Sequence, residues 1–360
     1  MVEAYVGTIK DLNKLFTAIK SDPEIADVLG YLKHKNTVKW GKIEDFSDLP
    51  LDVEDIQMPG SYKIRKGEVF RHSFVSPKYT LIPPKQLLLY VDKELNIVEK
   101  PEKRLKIVLF GIKPCDLKAI EVLDRIAEKN ENTYYAWRRS MVSLIVVEEC
   151  LVPGNTCFCG AVGSGPDVQR GFDVSYARLG EVVVFKYGSS RGKQLLEEIG
   201  VSRAPDSLVS KYVEALEEAR RKTKKAIPPV ETIVKALTAS IEDEELWRSV
   251  SSKCVGCANC NMVCPTCFCL EVVDNPEEEG YARIAQWTGC LSYSYGEVAG
   301  GHFRPELYMR YRHFVLHKFV FYPRQIGLLG CVGCGRCITW CPVRVDLRET
   351  INKIVSASRR

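Results

Sequence analysis

The sequence predicts a two-domain protein of mixed α/β and α+β class, and three observations support this fold class. In the first 230 residues, short apolar runs of strand length alternate with segments of helical periodicity, as in a sheet covered by helices. A basic stretch that ends in two prolines, KTKKAIPP at 222–229, is the best linker candidate. The rest of the chain holds two copies of one four-cysteine pattern. We therefore predict an α/β domain at 1–230 and a second domain at 231–360.

The elements of the first domain are predicted from the period of their apolar residues. A Gly- and Lys-rich hairpin is predicted at 60–74. KIVLFGI at 106–112 has the length of a buried strand, and a helix with one apolar face follows at 116–129. The remaining predicted elements are strands at 143–149 and 181–187, a helix at 206–224 with Asp206 as its N-cap, and a short helical passage that ends near residue 252.

Composition narrows the class of protein. Of the 360 residues, 46% are hydrophobic and 27% charged, a balance typical of globular proteins. The opening stretch MVEAYVGTIKDLNK is charged and mixed, unlike a signal peptide, and no apolar run approaches the roughly 18 residues of a membrane span. We therefore expect a cytoplasmic protein whose 15 cysteines are reduced or bound to metal.

The last third of the chain contains two cysteine runs, CVGCANCNMVCP at 254–265 and CVGCGRCITWCP at 331–342. Each is C-x2-C-x2-C-x3-C-P, the pattern that binds [4Fe–4S] clusters in bacterial-type ferredoxins, where the fourth cysteine ligates the other cluster. The second domain is thus predicted to be a two-cluster, ferredoxin-like domain with a long insertion at 265–330. The predicted ligands are Cys254, Cys257, Cys260 and Cys341 for cluster 1, and Cys331, Cys334, Cys337 and Cys264 for cluster 2.

Zinc is the main alternative for these runs. Structural zinc uses cysteines in two knuckles separated by a longer loop, rather than four in one run that ends in CP. Two adjacent iron–sulfur clusters serve to pass single electrons, at potentials between roughly −700 and +450 mV that burial and hydrogen bonds to sulfur determine. The runs therefore predict electron transfer.

A third cluster is predicted in the first domain. Cys115 follows the strand at 106–112 and Cys150 follows the strand at 143–149, so parallel pairing would bring both to the carboxyl edge of one sheet. Cys157 and Cys159 lie in the next loop. These four cysteines are predicted to hold a [4Fe–4S] cluster; zinc, or simple packing of the thiols, are the alternatives.

Three cysteines remain: Cys267, Cys269 and Cys290. They either pack as buried thiols or form an additional metal site with a non-cysteine ligand, for which His302 is the first candidate. No ligand role is predicted for the other histidines.

Other ligand classes find little support. The glycine-bearing segments at 160–165 and 188–194 fit neither a dinucleotide loop nor a P-loop, so no flavin or nicotinamide site is expected. The basic, aromatic stretch at 304–324 would suit a nucleic acid. Its aromatic and apolar residues recur at helical spacing, however, which predicts a buried stripe and no nucleic-acid partner.

The chain also resembles a known family. The segments that carry the resemblance are FGIKPCDLKA (110–119), EECLVPGNTCFCGAVGSGPD (148–167), PTCFC (265–269), QWTGC (286–290), AGGHFRP (299–305) and YRHFVLHKFVFYP (311–323). They are similar to the beta subunit of archaeal cytoplasmic sulfhydrogenases, the NAD(P)-linked [NiFe] hydrogenases, and to its relative in anaerobic sulfite reductase. The similarity covers about 62–347. Thr288 and Gly289 depart from the family, which often has an acidic residue and Ser there.

The resemblance implies a non-catalytic iron–sulfur subunit. It would relay electrons between a flavoprotein subunit that binds FAD and NAD(P)H and the small and large subunits of a hydrogenase, or alternatively the catalytic subunit of a sulfite or sulfur reductase. Two other functions compete with this one, a self-contained enzyme and a nucleic-acid-processing protein with structural clusters. No arrangement of catalytic side chains supports the first, and the paired cluster runs disfavour the second.

Overall fold

The computed structural model describes residues 3–98 and 104–358, which form a mixed fold of helices and sheets. The strands are β1 (Tyr5–Thr8), β2 (Asp27–His34), β3 (Thr37–Lys42), β4 (Val53–Met58), β5 (Ser61–Lys66), β6 (Lys85–Asp92), β7 (Ile97–Val98), β8 (Ile107–Ile112), β9 (Val142–Glu148), β10 (Val174–Leu179), β11 (Val182–Tyr187), β12 (Ser202–Arg203), β13 (Leu270–Glu277), β14 (Gly280–Trp287), β15 (Glu297–Val298) and β16 (Gly301–His302).

The helices are α1 (Ile9–Ser21), α2 (Lys78–Leu81), α3 (Pro114–Lys129), α4 (Thr133–Ser140), α5 (Ser190–Glu198), α6 (Asp206–Lys224), α7 (Val230–Ala239), α8 (Glu244–Ser251), α9 (Asn259–Val263), α10 (Leu307–Leu316), α11 (Tyr322–Ile326), α12 (Arg336–Thr339) and α13 (Leu347–Ala357). A π-helical segment, His317–Phe321, joins α10 to α11. No helix in the two described ranges is long and apolar enough to cross a membrane.

An eight-stranded sheet, in the order β12-β1-β11-β10-β9-β8-β2-β3, forms the centre of the amino-terminal part. The neighbours β2, β8, β9 and β10 are parallel, and the outer pairs are antiparallel. The expected parallel pairing of the segments at 106–112 and 143–149 is therefore confirmed. All of β8 is buried, because helices cover both faces of a parallel sheet.

Alternate residues of the central strands face different helices. Val108 and Phe110 pack with α1 and α5 on one face of the sheet. Leu109 and Ile112 pack with the apolar side of α3 on the other. The period of two thus divides Val108, Leu109 and Phe110 between two cores. A register shift at Gly111, which has φ +69°, places Ile112 on the same face as Leu109.

Helix α3 begins at Pro114, one residue before Cys115 rather than after it. Proline suits the first helical position because it lacks the N–H that would have no partner there. Asp116 closes this end, since its Oδ2 accepts the Lys113 N–H at 3.2 Å. Cys115 consequently lies within the first helical turn. Asp206, the predicted N-cap of α6, is instead the first residue of that helix, and Pro205 is the N-cap.

The amino-terminal hairpin is formed by β4 and β5, so its turn lies at Pro59–Gly60 and the segment predicted at 60–74 is only half strand. Gly60 has φ +69° and its N–H donates to the Ile338 carbonyl at 3.0 Å. A Cβ at Gly60 would lie 2.8 Å from the Cys341 carbonyl oxygen. Glycine therefore allows the hairpin tip to approach the second cysteine run.

A second sheet, in the order β13-β14-β6-β7, joins distant parts of the chain. Its strands β6 and β7 come from the amino-terminal part, and β13 and β14 from the insertion between the cysteine runs. Strand pairing therefore crosses the boundary predicted near residue 230.

Helices α7, α8, α10 and α13 build the carboxyl-terminal core around Trp247, which is fully buried. The helical stripe predicted within 304–324 is also buried, at Tyr308, Tyr311, Val315 and Phe319. This confirms the prediction of a packed stripe.

Candidate metal centres

The first cysteine group combines the first run with the last cysteine of the second run. Burial raises the pKa of Cys254, and the nearby thiols of Cys341 and Cys257 add to the increase. Burial likewise raises the pKa of Cys260, with a contribution from Cys341. Cys254, Cys257, Cys260 and Cys341 line one cavity of about 30 Å³, which Tyr311 also borders.

The second group has the reciprocal composition. Burial raises the pKa of Cys331 to about 12, and Cys264 and Cys334 are the thiols that add to this effect. Burial also raises the pKa of Cys337, where Cys331, Cys334 and Cys264 contribute. The structure thus brings Cys264, from the first run, beside the three leading cysteines of the second run.

Backbone N–H groups are directed at two sulfurs of the second run, one in each of these two groups. The Gly333 N–H donates to the Cys331 Sγ at 3.4 Å, and the Val345 N–H donates to the Cys341 Sγ at 3.2 Å. Gly333 has φ +59°, and a Cβ there would lie 2.6 Å from the Phe158 carbonyl. N–H groups directed at thiolates suit an iron–sulfur cluster, whose sulfurs carry negative charge. The residues present therefore fit such a group.

The third group lies at the carboxyl edge of β8 and β9. Burial raises the pKa of Cys159 to about 12, and Cys150 contributes to the increase. Cys157 has Cys159 and Cys150 as its nearest thiols, and Cys115 has Cys159 nearby. All four amino-terminal cysteines of the prediction are thus gathered at one place.

The three groups adjoin one another in a row. Cys334 of the second group lies close enough to raise the pKa values of Cys115, Cys157 and Cys159. At the other end, Cys260 of the first group raises that of Cys337. The loop of the third group is fixed to the second run, because the Phe158 N–H donates to the Gly333 carbonyl at 2.8 Å.

A buried ion pair that the sequence analysis did not identify lies between the second and third groups. Arg336 and Asp116 are both fully buried, with Nη1 and Oδ1 2.9 Å apart. This contact is off the line of a hydrogen bond, so it acts as Coulomb attraction. Tyr31 connects the two, because its hydroxyl donates to Asp116 at 2.6 Å and accepts from Arg336 at 2.7 Å. The one signal in the sequence is an arginine between the second and third cysteines of a run.

The thiols of the cysteine groups do not converge on a single point. Across 3–98 and 104–358, no three His, Cys, Asp or Glu side chains converge closely enough to hold a single metal ion.

The three remaining cysteines also lie near one another. The Asn261 amide donates to the Cys290 Sγ at 3.4 Å and to the Cys267 Sγ at 3.7 Å. Cys269 contributes to the raised pKa of Cys290, which burial brings to about 11. His302, the first candidate for a fourth ligand, is engaged elsewhere. Its Nε2 contacts the Tyr293 carbonyl at 2.6 Å, and its Nδ1 accepts the Arg304 N–H at 2.8 Å.

A cavity of about 590 Å³ lies between α3 and the segment His317–Phe321, and Phe268 and Leu270, the sequence neighbours of Cys269, line it. Two stacked histidines of its wall, His313 and His317, have ring centroids 5.2 Å apart. Burial lowers the pKa of His313 to about 4 and that of His317 to about 3, and Arg304 and Lys318 add to both shifts. Both rings are therefore neutral at pH 7.

This pair predicts a loss of stability in acid. Unfolded histidine has a pKa of about 6.5, so below that pH the unfolded chain takes up protons that the folded chain does not. The free energy of unfolding should fall by about 1 kcal/mol per histidine between pH 7 and pH 5, after allowance for solvent contact. Anaerobic urea titrations should show this slope in the wild type and a flatter one in His317→Phe. Equal slopes would contradict the prediction.

Comparisons with known proteins find two sequence similarities. The model of the 4Fe-4S dicluster domain family matches residues 253–345, a range that contains both cysteine runs. Sulfhydrogenase 2 subunit beta of Pyrococcus furiosus is 29% identical over 337 residues, which cover 92% of this chain and 93% of the relative. No solved structure matches the chain significantly. Over most of its length the chain is thus similar to a sulfhydrogenase beta subunit, and its carboxyl-terminal part matches a 4Fe-4S dicluster domain.

Proposed function

We propose that this chain is a cytoplasmic, non-catalytic subunit that relays electrons between a flavoprotein partner and the catalytic subunits of a hydrogenase. In this proposal the flavoprotein binds FAD and NAD(P)H, and the hydrogenase small and large subunits hold the reaction centre. The observation that carries the proposal is the row of three adjoining cysteine groups, in which Cys334 and Cys337 each lie beside a neighbouring group. The name of the relative, a sulfhydrogenase subunit, supports the choice of complex.

The proposed ligands follow the three groups. The sets are Cys254, Cys257, Cys260 and Cys341; Cys331, Cys334, Cys337 and Cys264; and Cys115, Cys150, Cys157 and Cys159. When bound, a [4Fe–4S] cluster supplies one reversible electron at a potential that its surroundings determine.

The protein around these groups limits the access of water. Tyr62 and Phe74 pack against Trp340, with ring centroids 4.5 and 5.6 Å from the indole. Phe158, next to two cysteines of the third group, is fully buried. Apolar surroundings lower the local dielectric, which makes each nearby charge more effective in tuning a potential.

The proposal predicts that this chain transfers electrons to dyes by itself but needs its flavoprotein partner to use NADPH. We expect the anaerobically purified chain, once reduced by dithionite, to pass electrons to viologen dyes but not to accept them from NADPH. Addition of the flavoprotein partner should establish NADPH-dependent dye reduction, followed by dye absorbance. Rapid NADPH oxidation by the chain alone would contradict the assignment of the flavin to a partner.

The third group gives a separate prediction within the full chain. Cys159→Ser should lower the iron content by about four atoms, because one cluster loses a ligand. Val152, which is 46% exposed in the same loop, offers a matched control, and Val152→Ser should keep all iron. Iron assay and Mössbauer spectra measure both. Unchanged iron in Cys159→Ser would remove the third group from the relay.

A further inference from the structure

Cys267, Cys269 and Cys290 lie outside the three groups of the relay, yet they are gathered around shared partners. Asn261 donates to two of their sulfurs, and Cys269 lies beside the Tyr295 hydroxyl, where it adds to the pKa that burial raises. Buried thiols that only fill space need no such common polar partners.

Two buried lysines face this site from opposite parts of the sequence. Lys78 of α2 and Lys318 of the segment His317–Phe321 are each 3% exposed. Within the described ranges, neither ammonium pairs with a carboxylate. Lys78 donates to the Met262 carbonyl at 3.1 Å, and Lys318 donates to the Thr266 hydroxyl at 3.1 Å. The nearest groups to both that can carry a negative charge are the thiols of Cys264 and Cys267.

Two ammonium groups buried without a carboxylate partner would be costly, because a buried charge requires a partner of opposite sign. An anionic group between the cysteines would supply that partner. Lys318 lies in a π-helical segment, and such segments are frequent at functional sites. This observation also favours a ligand here.

We propose that Cys267, Cys269 and Cys290 hold a further [4Fe–4S] cluster, with a fourth ligand that is not cysteine and with Lys78 and Lys318 as its counter-charges. The chain has 15 cysteines, and the relay uses the other twelve. Tyr295 is the oxygen donor best placed to cover the fourth position, because it contacts Cys269 and borders the cavity of about 590 Å³.

A cluster at these three cysteines would extend the electron path from the relay to the cavity that Tyr295 borders. Cys290 lies beside Cys260 of the first group, and Cys267 lies beside Cys264 of the second. An electron from either group would then have an adjacent site. The lysines would raise the potential of that site, because positive charge stabilises the reduced, more negative form.

Iron analysis of the full chain tests the proposal. Wild-type protein, reconstituted anaerobically, should hold about sixteen irons, and Cys290→Ser and Cys267→Ser should each lose about four. Val272, 59% exposed on β13, provides the control Val272→Ser, which should lose none. Full iron content with unchanged Mössbauer spectra in both cysteine variants, or stoichiometric zinc in the wild type, would overturn the proposal.

A second variant keeps every cysteine. Lys318→Met retains the length of the side chain and removes its charge. We expect it to keep all iron and to lower the midpoint potential of one set of electron paramagnetic resonance signals, the set that Cys290→Ser abolishes. Unshifted potentials would also overturn the proposal. Failure of the relay itself would show differently, because NADPH-dependent dye reduction with the flavoprotein partner would then persist in variants of the other groups while this set of signals is unchanged.

Discussion

Replacing Cys264 by Ser is expected to remove iron from the second group, although Cys264 belongs to the first run of the sequence. Its thiol lies beside Cys331, Cys334 and Cys337, where it adds to their raised pKa values. Loss of one ligand of four should release about four irons, or leave a cluster with an altered spectrum. Iron assay and electron paramagnetic resonance measure the loss.

The electron paramagnetic resonance signal that is lost identifies the group that Cys264→Ser affects. Cys264 also lies beside Cys267, a proposed ligand of the further cluster, and the Cys267 thiol lowers the pKa of Cys264. An iron count alone therefore does not identify the lost cluster. The signal missing in Cys264→Ser should be the one missing in Cys337→Ser. Cys341→Ser is the matched control, and it should instead remove the signal that depends on Cys254. The opposite pattern would show that each run holds its own cluster.

Local sequence was enough to predict the central strands. The segments that became β8 and β9 are short apolar runs, and their parallel pairing follows from the intervening helix. The second sheet could not be predicted in the same way. Its β6 and β14 lie far apart in sequence and carry exposed Leu87, Leu88 and Tyr281, so their pairing depends on contacts that no local pattern records.

The cysteine groups were predictable for a similar reason, because regular spacing within a run is a local property. The charges around them are not local. Lys78 and Asp116 stand far from the runs in sequence, and only the packing of α2 and α3 brings them to the cysteines. A lone lysine or aspartate in a helix predicts a solvated face, since burial of a charge is determined by its distant partner.

Arg336 is expected to have the largest effect on stability among single side chains outside the cysteines. Its guanidinium contacts Asp116, the Tyr31 hydroxyl and, at 2.9 Å, the Ser73 carbonyl, all in the amino-terminal part of the chain. Arg336→Met would leave the Asp116 carboxylate buried without its partner, which typically costs about 3–5 kcal/mol. Denaturant titration of the reconstituted protein measures this loss. Arg324→Met, at an exposed arginine of α11, should change stability by less than about 0.5 kcal/mol.

The double variant Arg336→Met/Asp116→Asn separates charge from packing. If the loss in Arg336→Met comes from an uncompensated carboxylate, then removing that charge as well should recover part of it, so the double variant should be more stable than the sum of the two single losses implies. Arg336 also lies close enough to Cys334 and Cys115 to lower the pKa of each thiol. Its removal should therefore lower the midpoint potentials of the second and third clusters together. Additive losses of stability with unshifted potentials would show that Arg336 contributes only packing.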